Sequence, residues 1–301
     1  METTLPTNEN LSKKRRLPRF WAALFASPAG MAGALIMVSM VLVALFAQQL
    51  APYSPEKISL RDRLQPPSLQ ALKEGETPHL FGTDSMGRDL FSRVIYGARI
   101  SLLLGLTASF LGLSFGVTLG MLAGYYGGRL DSLISLLINV QMAFPFTLLA
   151  IFIIAIFGGG LSKLIAVLAW ATWVNFSRIM RGQVNAIRNS DYVHAAYTMG
   201  ARPLRVMFVH ILPNAVSPLI VVATFTFASV ILQEAGLSFL GLGVDIRIPT
   251  WGSILSDGRA YLQDAWWIAT LPGIALLITS LGANLFGDWL RDYLDPRLRV
   301  Q

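Results

Sequence analysis

The chain of 301 residues contains no cysteine, and its three histidines, His79, His194 and His210, lie far apart. The missing thiols exclude cysteine catalysis, disulfide frameworks and thiolate metal sites, and the scattered imidazoles form no histidine metal cluster. Charge is also scarce: 14% of the residues are charged and 54% are hydrophobic, whereas soluble domains carry about 25% charged residues. So little charge cannot cover a water-facing surface, so we exclude a soluble enzyme and expect no catalytic or metal-binding residue.

A phosphate-binding loop is missing as well. The nearest string, at residues 158–163, reads Gly-Gly-Gly-Leu-Ser-Lys and lacks the spacing of the G-x-x-x-x-G-K-[ST] motif. We therefore expect no ATP site or other cofactor site on this chain. If the protein moves a solute uphill, the energy must come from another polypeptide.

What the sequence does contain is a series of long stretches without charge. Five gaps between charged residues are 23 to 36 residues long, and a membrane-spanning helix needs roughly 20 apolar residues. A sixth gap, between Lys163 and Arg178, is shorter, but the glycine-rich string can start it early while Lys163 reaches the interface. We predict an all-α polytopic membrane protein with six transmembrane helices, at about 27–49, 102–124, 133–156, 161–177, 213–234 and 266–287.

The segments between these spans divide by charge. We predict a tail at 1–26, loops at 50–101, 178–212 and 235–265, and a tail at 289–301, with 102–288 as a core of five helices. With both tails and the 178–212 loop in the cytoplasm, the inside segments hold 14 basic and 7 acidic residues, and the outside segments hold 10 of each. Since basic residues favour the cytoplasmic side, both termini are predicted to be cytoplasmic. The basic excess then requires no nucleic acid as a partner.

Glycines recur every four residues along the second predicted span and share one helix face: Gly112, Gly116, Gly120 and Gly124. Such a face lets another helix approach closely. We expect this face to pack within the chain; a subunit interface is the alternative. Pro145, inside the third span, is expected to kink it.

No predicted span carries a charged residue near its centre, which weighs against an ion-coupled carrier. Uncharged polar residues within the spans are candidates for lining a transport pathway, and hydrogen bonding between helices is their alternative role. The candidates are Asn139, Gln141, Thr147, Thr224 and Ser229, with Asn175, Thr226 and Asn284 as further polar groups.

The 178–212 loop contains the signals of a short helix followed by a second one. Ser190 or Asp191 is suited to cap the first helix, Gly200 to end it in the left-handed conformation and Pro203 to start the second. Val193, Ala196 and Tyr197 are predicted to form an apolar stripe that lies in a groove of a partner. A solvated connecting helix is the alternative.

This loop resembles the "EAA" loop of permease subunits in ATP-binding-cassette importers, through Ala195-Ala196, Gly200 and Leu212-Pro213. His194 stands where that family's motif has Glu. The resemblance implies that the short helix is the coupling helix that docks into a cleft on the ATPase subunit. The residues placed there are Asp191, Tyr192, Val193, His194, Ala195, Ala196, Tyr197, Gly200, Ala201 and Arg202.

Three further stretches, at 81–102, 234–252 and 287–299, are similar to the C-type permease of the peptide importer group, which serves dipeptides, oligopeptides, nickel and glutathione. From the residues themselves, we expect Asp84 and Asp89 to bond nearby backbone or arginine in a turn. We expect Glu234 to pair with an arginine outside the membrane.

The resemblance implies a permease subunit of an ATP-driven importer in the bacterial inner membrane, forming half of a path for peptides or peptide-like solutes. Its implied partners are a second related permease, two cytoplasmic ATPases that hold ATP and Mg²⁺, an exterior substrate-binding protein and the lipid bilayer. Two alternatives remain from the residues alone: a channel or facilitative carrier that works without ATP, and a membrane scaffold or sensor.

Overall fold

The computed structural model describes residues 16–68, 79–244 and 248–295, and within these ranges it forms helices and loops but no strand longer than a single bridge. A π-helical turn, Val206–Ile211, leads from α9 into α10. The α-helices are α1 Arg16–Ala26, α2 Pro28–Leu45, α3 Ala47–Leu50, α4 Leu90–Tyr126, α5 Gly128–Ala143, α6 Phe146–Phe157, α7 Leu161–Ile187, α8 Asp191–Thr198, α9 Pro203–Arg205, α10 Leu212–Phe239, α11 Trp251–Gly258 and α12 Trp267–Leu294.

Within the described ranges, four helices are long and apolar enough to cross a membrane: α2, α4, α12 and α10 together with the turns that precede it. The pair α5 and α6 makes a fifth if it counts as one span. The prediction of an all-helical membrane protein is confirmed. Helix α7 is about 40 Å long at 1.5 Å per residue, but Lys163, Arg178 and Arg181 interrupt its apolar character.

The glycine face of α4 shows how the central helices run. Gly112 lies against Thr172 of α7, and Gly124 lies against Val184. Residue numbers therefore rise together along the contact, so α4 and α7 are parallel. The intervening α5 and α6 must return the chain to the end from which α4 started. We call the end of the bundle at Tyr126 and α8 the α8 end, and the opposite end the α11 end.

Helices α2 and α12 are antiparallel, because Gly33 meets Phe286 while Gly30 meets Trp289. Helix α1 packs at the α8 end through Phe20, whose ring centroid lies 5.1 Å from that of Trp289. Residues 16–26 thus form a packed helix where the sequence predicted a tail. At the other terminus α12 continues to Leu294, because Trp289 and Leu290 are buried and keep the helix on the bundle.

Helix α4 begins at Leu90, twelve residues before the predicted span. The carboxylate of Asp89 caps it by accepting from the backbone N–H of Ser92 at 2.8 Å. Its first turns are charged, but the charge is neutralised: Arg93 Nη1 lies 2.8 Å from Asp84 Oδ2, and both side chains are buried. Asp84 Oδ1 also accepts from the backbone N–H of Arg88. The predicted acidic turn is confirmed.

At the α11 end, Asp257 joins this cluster through Arg88 and Arg93, at 3.2 and 3.3 Å. Burial raises the pKa of the Asp257 carboxyl, against the opposing attraction of Arg88. The prediction for Glu234 is wrong. Its buried carboxylate oxygen Oε1 accepts from the hydroxyl of Ser238, one turn further along α10, at 2.7 Å and from that of Thr250 at 2.9 Å. Thr250, the residue before α11, and not an arginine, faces it across the α10–α11 contact.

The third predicted span is broken rather than kinked. Helix α5 ends at Ala143, α6 begins at Phe146, and their axes meet at 89°. Phe144 and Pro145 between them are extended, with ψ of 131° and 126°. A proline disfavours the helical conformation in the residue before it and offers no N–H to the turn, so the sharp bend replaces the gentle kink that the sequence predicted.

Candidate coupling helix and transport cleft

Helix α8 has the start and the stop that its sequence predicts, with one difference. The left-handed Gly200, with φ of 80°, donates its N–H to Tyr197 O, and Ala201 donates to Ala196 O; such paired bonds close a helix at a glycine. Pro203 opens α9. Ser190 occupies the N-cap position, but its hydroxyl donates to Ile187 O at 2.6 Å instead of accepting from the first turn.

The face of α8 that the structure turns inward is not the face predicted to meet a partner. Val193 is buried in a cluster that includes Met180, Val184 and Met207 of the same chain, and Ala196 is buried as well. The prediction that these two residues dock into a partner's groove is therefore wrong. A two-turn helix is marginal by itself, so it needs this apolar anchor on its own bundle.

The outward face of α8 and the loop after it expose large apolar groups at the end of the bundle. Met199 is 81% exposed, and Leu204, at the start of α9, is 65% exposed. Large apolar groups exposed on a segment rimmed by polar residues are consistent with a protein or membrane contact. The remaining residues predicted for the coupling helix lie on this side, apart from the half-buried Ala201: Asp191, Tyr192, His194, Ala195, Tyr197, Gly200 and Arg202.

Polar contacts fix α8 and the end of α7 to the neighbouring helices. The hydroxyl of Tyr197 donates to the Tyr125 hydroxyl at the end of α4, 2.6 Å away. Arg188 donates to Gly124 O at 2.7 Å, and Arg181 Nη2 pairs with Asp131 Oδ2 of α5 at 2.7 Å. These contacts join α8 to α4, and the C-terminal part of α7 to α4 and α5.

A cleft of about 590 Å³ separates α7 from α10. The polar residues of its lining are Thr172, Asn175, Arg178, Thr226, Ser229 and Gln233. A second cleft, of about 610 Å³, shares three apolar lining residues with the first and continues toward the α8 end, where polar groups line it again. The shared residues are Ile179, Val222 and Phe225, and the further polar groups include Gln183, Asn214, Ser217 and Arg291.

The predicted pathway residues separate in the structure. Ser229 lines the α7–α10 cleft, but the Thr224 hydroxyl donates to Val221 O and points toward Gly287 of α12. Gln141 bridges α5 and α7, since its Oε1 accepts from Trp173 Nε1 and its Nε2 donates to Trp170 O. It also lines a smaller cavity of about 170 Å³ beside Asn175.

Asn139 and Thr147 are exposed and lie outside the residues that line the clefts described here. The sequence prediction also missed Arg178, which it assigned to the start of a loop. The sequence does contain a pattern that indicates the cleft. Polar residues recur at helical spacing at 175 and 178 on α7 and at 226, 229 and 233 on α10. Such spacing indicates one polar stripe on each helix.

The four predicted packing glycines all lie along α7. A side chain at Gly116 would meet Trp173 O and Phe176 Cβ, and one at Gly120 would meet Ser177 O and Met180 Cβ. Gly112 and Gly124 make the corresponding close contacts with Thr172 and Val184. We call this α4–α7 contact the glycine seam. Of the α7 residues that it contacts, Thr172 also borders the cleft, whereas Trp173, Phe176, Ser177, Met180 and Val184 do not line it.

The chain was then compared with known proteins. Residues 116–300 match the family model described as "Binding-protein-dependent transport system inner membrane component". The chain belongs to this permease family. Residues 17–67 also match the "N-terminal TM domain of oligopeptide transport permease C". The resemblance to the C-type permeases of the peptide group is thereby confirmed.

Individual relatives agree with the permease assignment. The di/tripeptide transport system permease protein DppC of Pseudomonas aeruginosa is 44% identical over 94% of this chain and 93% of its own length. The glutathione transport system permease protein GsiD of Pectobacterium atrosepticum is 37% identical over 99% of this chain and 97% of its own length. An inward-facing structure of the MetNI methionine transporter shares the fold, with a TM-score of 0.56 at 21% identity, over 68% of this chain and 98% of the other.

As a permease of this family, the chain is the membrane-embedded subunit of an ATP-binding-cassette importer. It is not an enzyme, because ATP hydrolysis belongs to partner subunits. The family assignment excludes the alternatives of an autonomous channel or carrier and of a scaffold without transport.

Proposed function

We propose that this permease carries peptides or small peptide-like solutes and forms one half of their path across the membrane. Relatives that align with 94% and 99% of the chain are named for di- and tripeptides and for glutathione, which is itself a peptide. The α7–α10 cleft supports this function, because its lining offers amide and hydroxyl groups beside apolar side chains. Such groups match the donors and acceptors of a peptide backbone.

In the proposed topology the chain crosses the bilayer six times, with α7 as the fourth crossing and the α5–α6 pair as the third. The parallel course of α4 and α7 supports the return of the chain through α5 and α6. The α8 end is cytoplasmic, in accord with the basic residues of the 178–212 loop. Both described chain ends then face the cytoplasm of a bacterium, across its inner membrane.

Helix α8 is proposed to be the docking element for a cytoplasmic ATPase. The observation that carries this proposal is its two-sided arrangement: Val193 and Ala196 anchor it inside, while Met199 and Leu204 are presented outside. A helix that only connects two others gains nothing from exposed apolar groups. A docking helix needs both an apolar contact surface and a rigid attachment to the elements it moves.

The complete importer is proposed to contain a second related permease, two ATPases that bind ATP and Mg²⁺, and an exterior substrate-binding protein. ATP binding draws the ATPases together and carries the docked α8 helices with them. The anchored helices α4, α5 and α7 follow, and the path opens toward the exterior. The permease contributes an arrangement with two states, and the ATPases bias the equilibrium between them.

The docking proposal is tested by comparing two neighbouring alanines in the assembled complex. Ala195 is exposed, whereas Ala196 is buried. Ala195→Arg places a charge on the docking face without disturbing the bundle. We expect the variant chain to keep its thermal stability and its partner permease but to lose co-purifying ATPase. A loss of about 2 kcal/mol at an interface centre weakens binding roughly 30-fold.

Ala196→Arg is the matched comparison, because it forces a charge into the buried anchor. We expect this variant to reduce the amount of folded chain itself, since a buried unpaired charge is strongly destabilising. Co-purification of ATPase with the Ala195→Arg chain at the level of the natural chain would show that α8 does not dock it.

A further inference from the structure

Helix α7 carries an arginine whose charge has no opposite partner in the described parts of the chain. Arg178 is exposed and lies nine residues, about 14 Å, before the end of the helix. Within those parts no carboxylate oxygen lies within 4.0 Å of the Arg178 guanidinium. Its Nη1 lies 3.6 Å from Met142 Sδ. Arg181, one turn further on, is by contrast paired with Asp131.

A guanidinium in this position requires an anion or water. Charged side chains on membrane-spanning helices are costly, face a water-filled cavity or the bundle interior, and mark pathways for ions or substrates. Arg178 faces the α7–α10 cleft.

The other groups in the cleft add hydrogen-bonding capacity but no charge. Gln233 Nε2 donates to Ser229 Oγ at 3.0 Å, whereas the buried oxygen Oε1 of Gln233 accepts from no donor among the residues that the structure describes. Thr172, Asn175 and Thr226 complete the polar lining. The cleft thus presents one cation, free acceptors and free donors, and its volume falls within the usual range for small-molecule sites, about 300–1,000 Å³.

We propose that the α7–α10 cleft is a transient binding site for the carboxylate end of the passing solute, and that Arg178 contacts that carboxylate. A guanidinium matches a carboxylate in charge and with two parallel N–H donors. The ammonium end of a peptide is repelled from the same position. The amide and hydroxyl groups of the lining then meet the peptide bond. This inference rests on the proposed peptide function and adds to it the orientation of the solute and the residue that reads it.

The natural chain lacks cysteine, so a single introduced thiol reports on the cleft. In the purified complete complex, Ser229→Cys is labelled with an anionic and with a cationic methanethiosulfonate reagent, and the cysteine-free chain gives the background from partner subunits. We expect the anionic reagent to be favoured, and Arg178→Gln to lower the ratio of the two rates roughly threefold to tenfold. Arg178→Lys should keep most of the ratio, and Arg181→Gln, which removes a charge outside the cleft, should leave it unchanged.

A dipeptide with a free carboxylate should slow the labelling of the Ser229→Cys chain, and the same dipeptide amidated at its C-terminus should not. In proteoliposomes containing the complete complex and its binding protein, Arg178→Gln should lower dipeptide uptake at least tenfold, and Arg178→Lys should restore part of it. The assembly of the Arg178→Gln chain with its partner permease should equal that of the natural chain.

Four results would overturn the inference. Equal protection by the free and the amidated dipeptide would show that the carboxylate is not read. Loss of the partner permease on Arg178→Gln would show that Arg178 pairs with a carboxylate of that subunit instead. Normal uptake by the Arg178→Gln complex would remove the role of the residue while leaving the peptide function intact; a natural complex that imports no peptide would remove both.

Discussion

The close contacts of the glycine seam predict how much an added methyl group destabilises the bundle. In Gly116→Ala, the new Cβ would lie 2.8 Å from Phe176 Cβ and closer still to the backbone oxygen of Trp173. Neither neighbour is the flexible end of a side chain, so α4 and α7 must separate. Added methyl groups in tightly packed positions cost about 1–3 kcal/mol, and two contacts this close to rigid atoms place the cost near the upper value.

Gly182 is the matched control, because it also lies inside a helix, α7, but nothing lies within 4 Å of the position of its missing Cβ. Both substitutions gain helix propensity, by up to about 1 kcal/mol. The net cost of Gly116→Ala is therefore about 2 kcal/mol, and Gly182→Ala is neutral or stabilising. At 2–4 °C per kcal/mol for chains of 150–250 residues, the midpoint temperatures should differ by about 4–12 °C.

The assay is thermal unfolding of the purified chain in detergent, with the fraction of monodisperse protein measured by size-exclusion chromatography after heating. Gly120→Ala serves as a second seam variant, because its Cβ would lie 2.9 Å from Met180 Cβ and closer to Ser177 O. If both seam variants melted as high as Gly182→Ala, α4 and α7 would have room for a methyl group, and the close approach would not hold them together.

Two further predictions concern the α11 end, and both are read as midpoint temperatures of thermal unfolding. Asp84→Asn should lower the free energy of unfolding by about 3–5 kcal/mol, because it leaves the buried Arg88 and Arg93 facing a neutral group. Asp257→Asn, at a partly exposed carboxylate, should lower it less. Equal losses for the two variants would contradict this ranking. Glu234→Gln should leave the free energy of unfolding nearly unchanged, because the remaining side-chain oxygen still accepts from the two hydroxyls. Glu234→Leu should lower it by about 1–3 kcal/mol, because both hydroxyls lose their acceptor. Similar losses for the two variants would contradict the role of Glu234 as an acceptor.

The position of the helices could be predicted from the runs without charge, but their ends could not. A charge was taken to end a span, and this rule placed the start of α4 at 102 and the end of the fourth span at 177. In the structure Arg93 lies within α4, where Asp84 from the preceding turn neutralises its charge. Arg178 lies within α7 and faces a cleft. A charged residue can therefore lie within a membrane helix where a carboxylate pairs with it or a cleft admits water to it. The sequence does not show which side chains come into contact.

Local signals around α8 were predictable because they depend on one residue each. Gly200 has the left-handed conformation, and Pro203 begins the next helix, as predicted. The orientation of α8 was not predictable. In a two-turn helix with apolar residues on more than one side, periodicity does not identify the inner face; the tertiary contacts of Val193 with Met207 and its neighbours decide it.

The pathway residues were mispredicted for the same reason, because periodicity does not show which face of a helix meets a neighbour. The course of α7 connects the parts of the proposed function. Helix α7 is continuous from Leu161 to Ile187; one side is held by the glycine seam, another lines the cleft, and its end leads into α8. Helix α10 instead connects to α8 through the π-helical turn Val206–Ile211, a form of helix often found at functional sites. In the proposed cycle a displacement of α8 therefore moves α7 and α4 as one body, while the π-helical turn lets α10 lag. The space between α7 and α10, where Arg178 lies, is the part of the bundle whose width such a displacement changes.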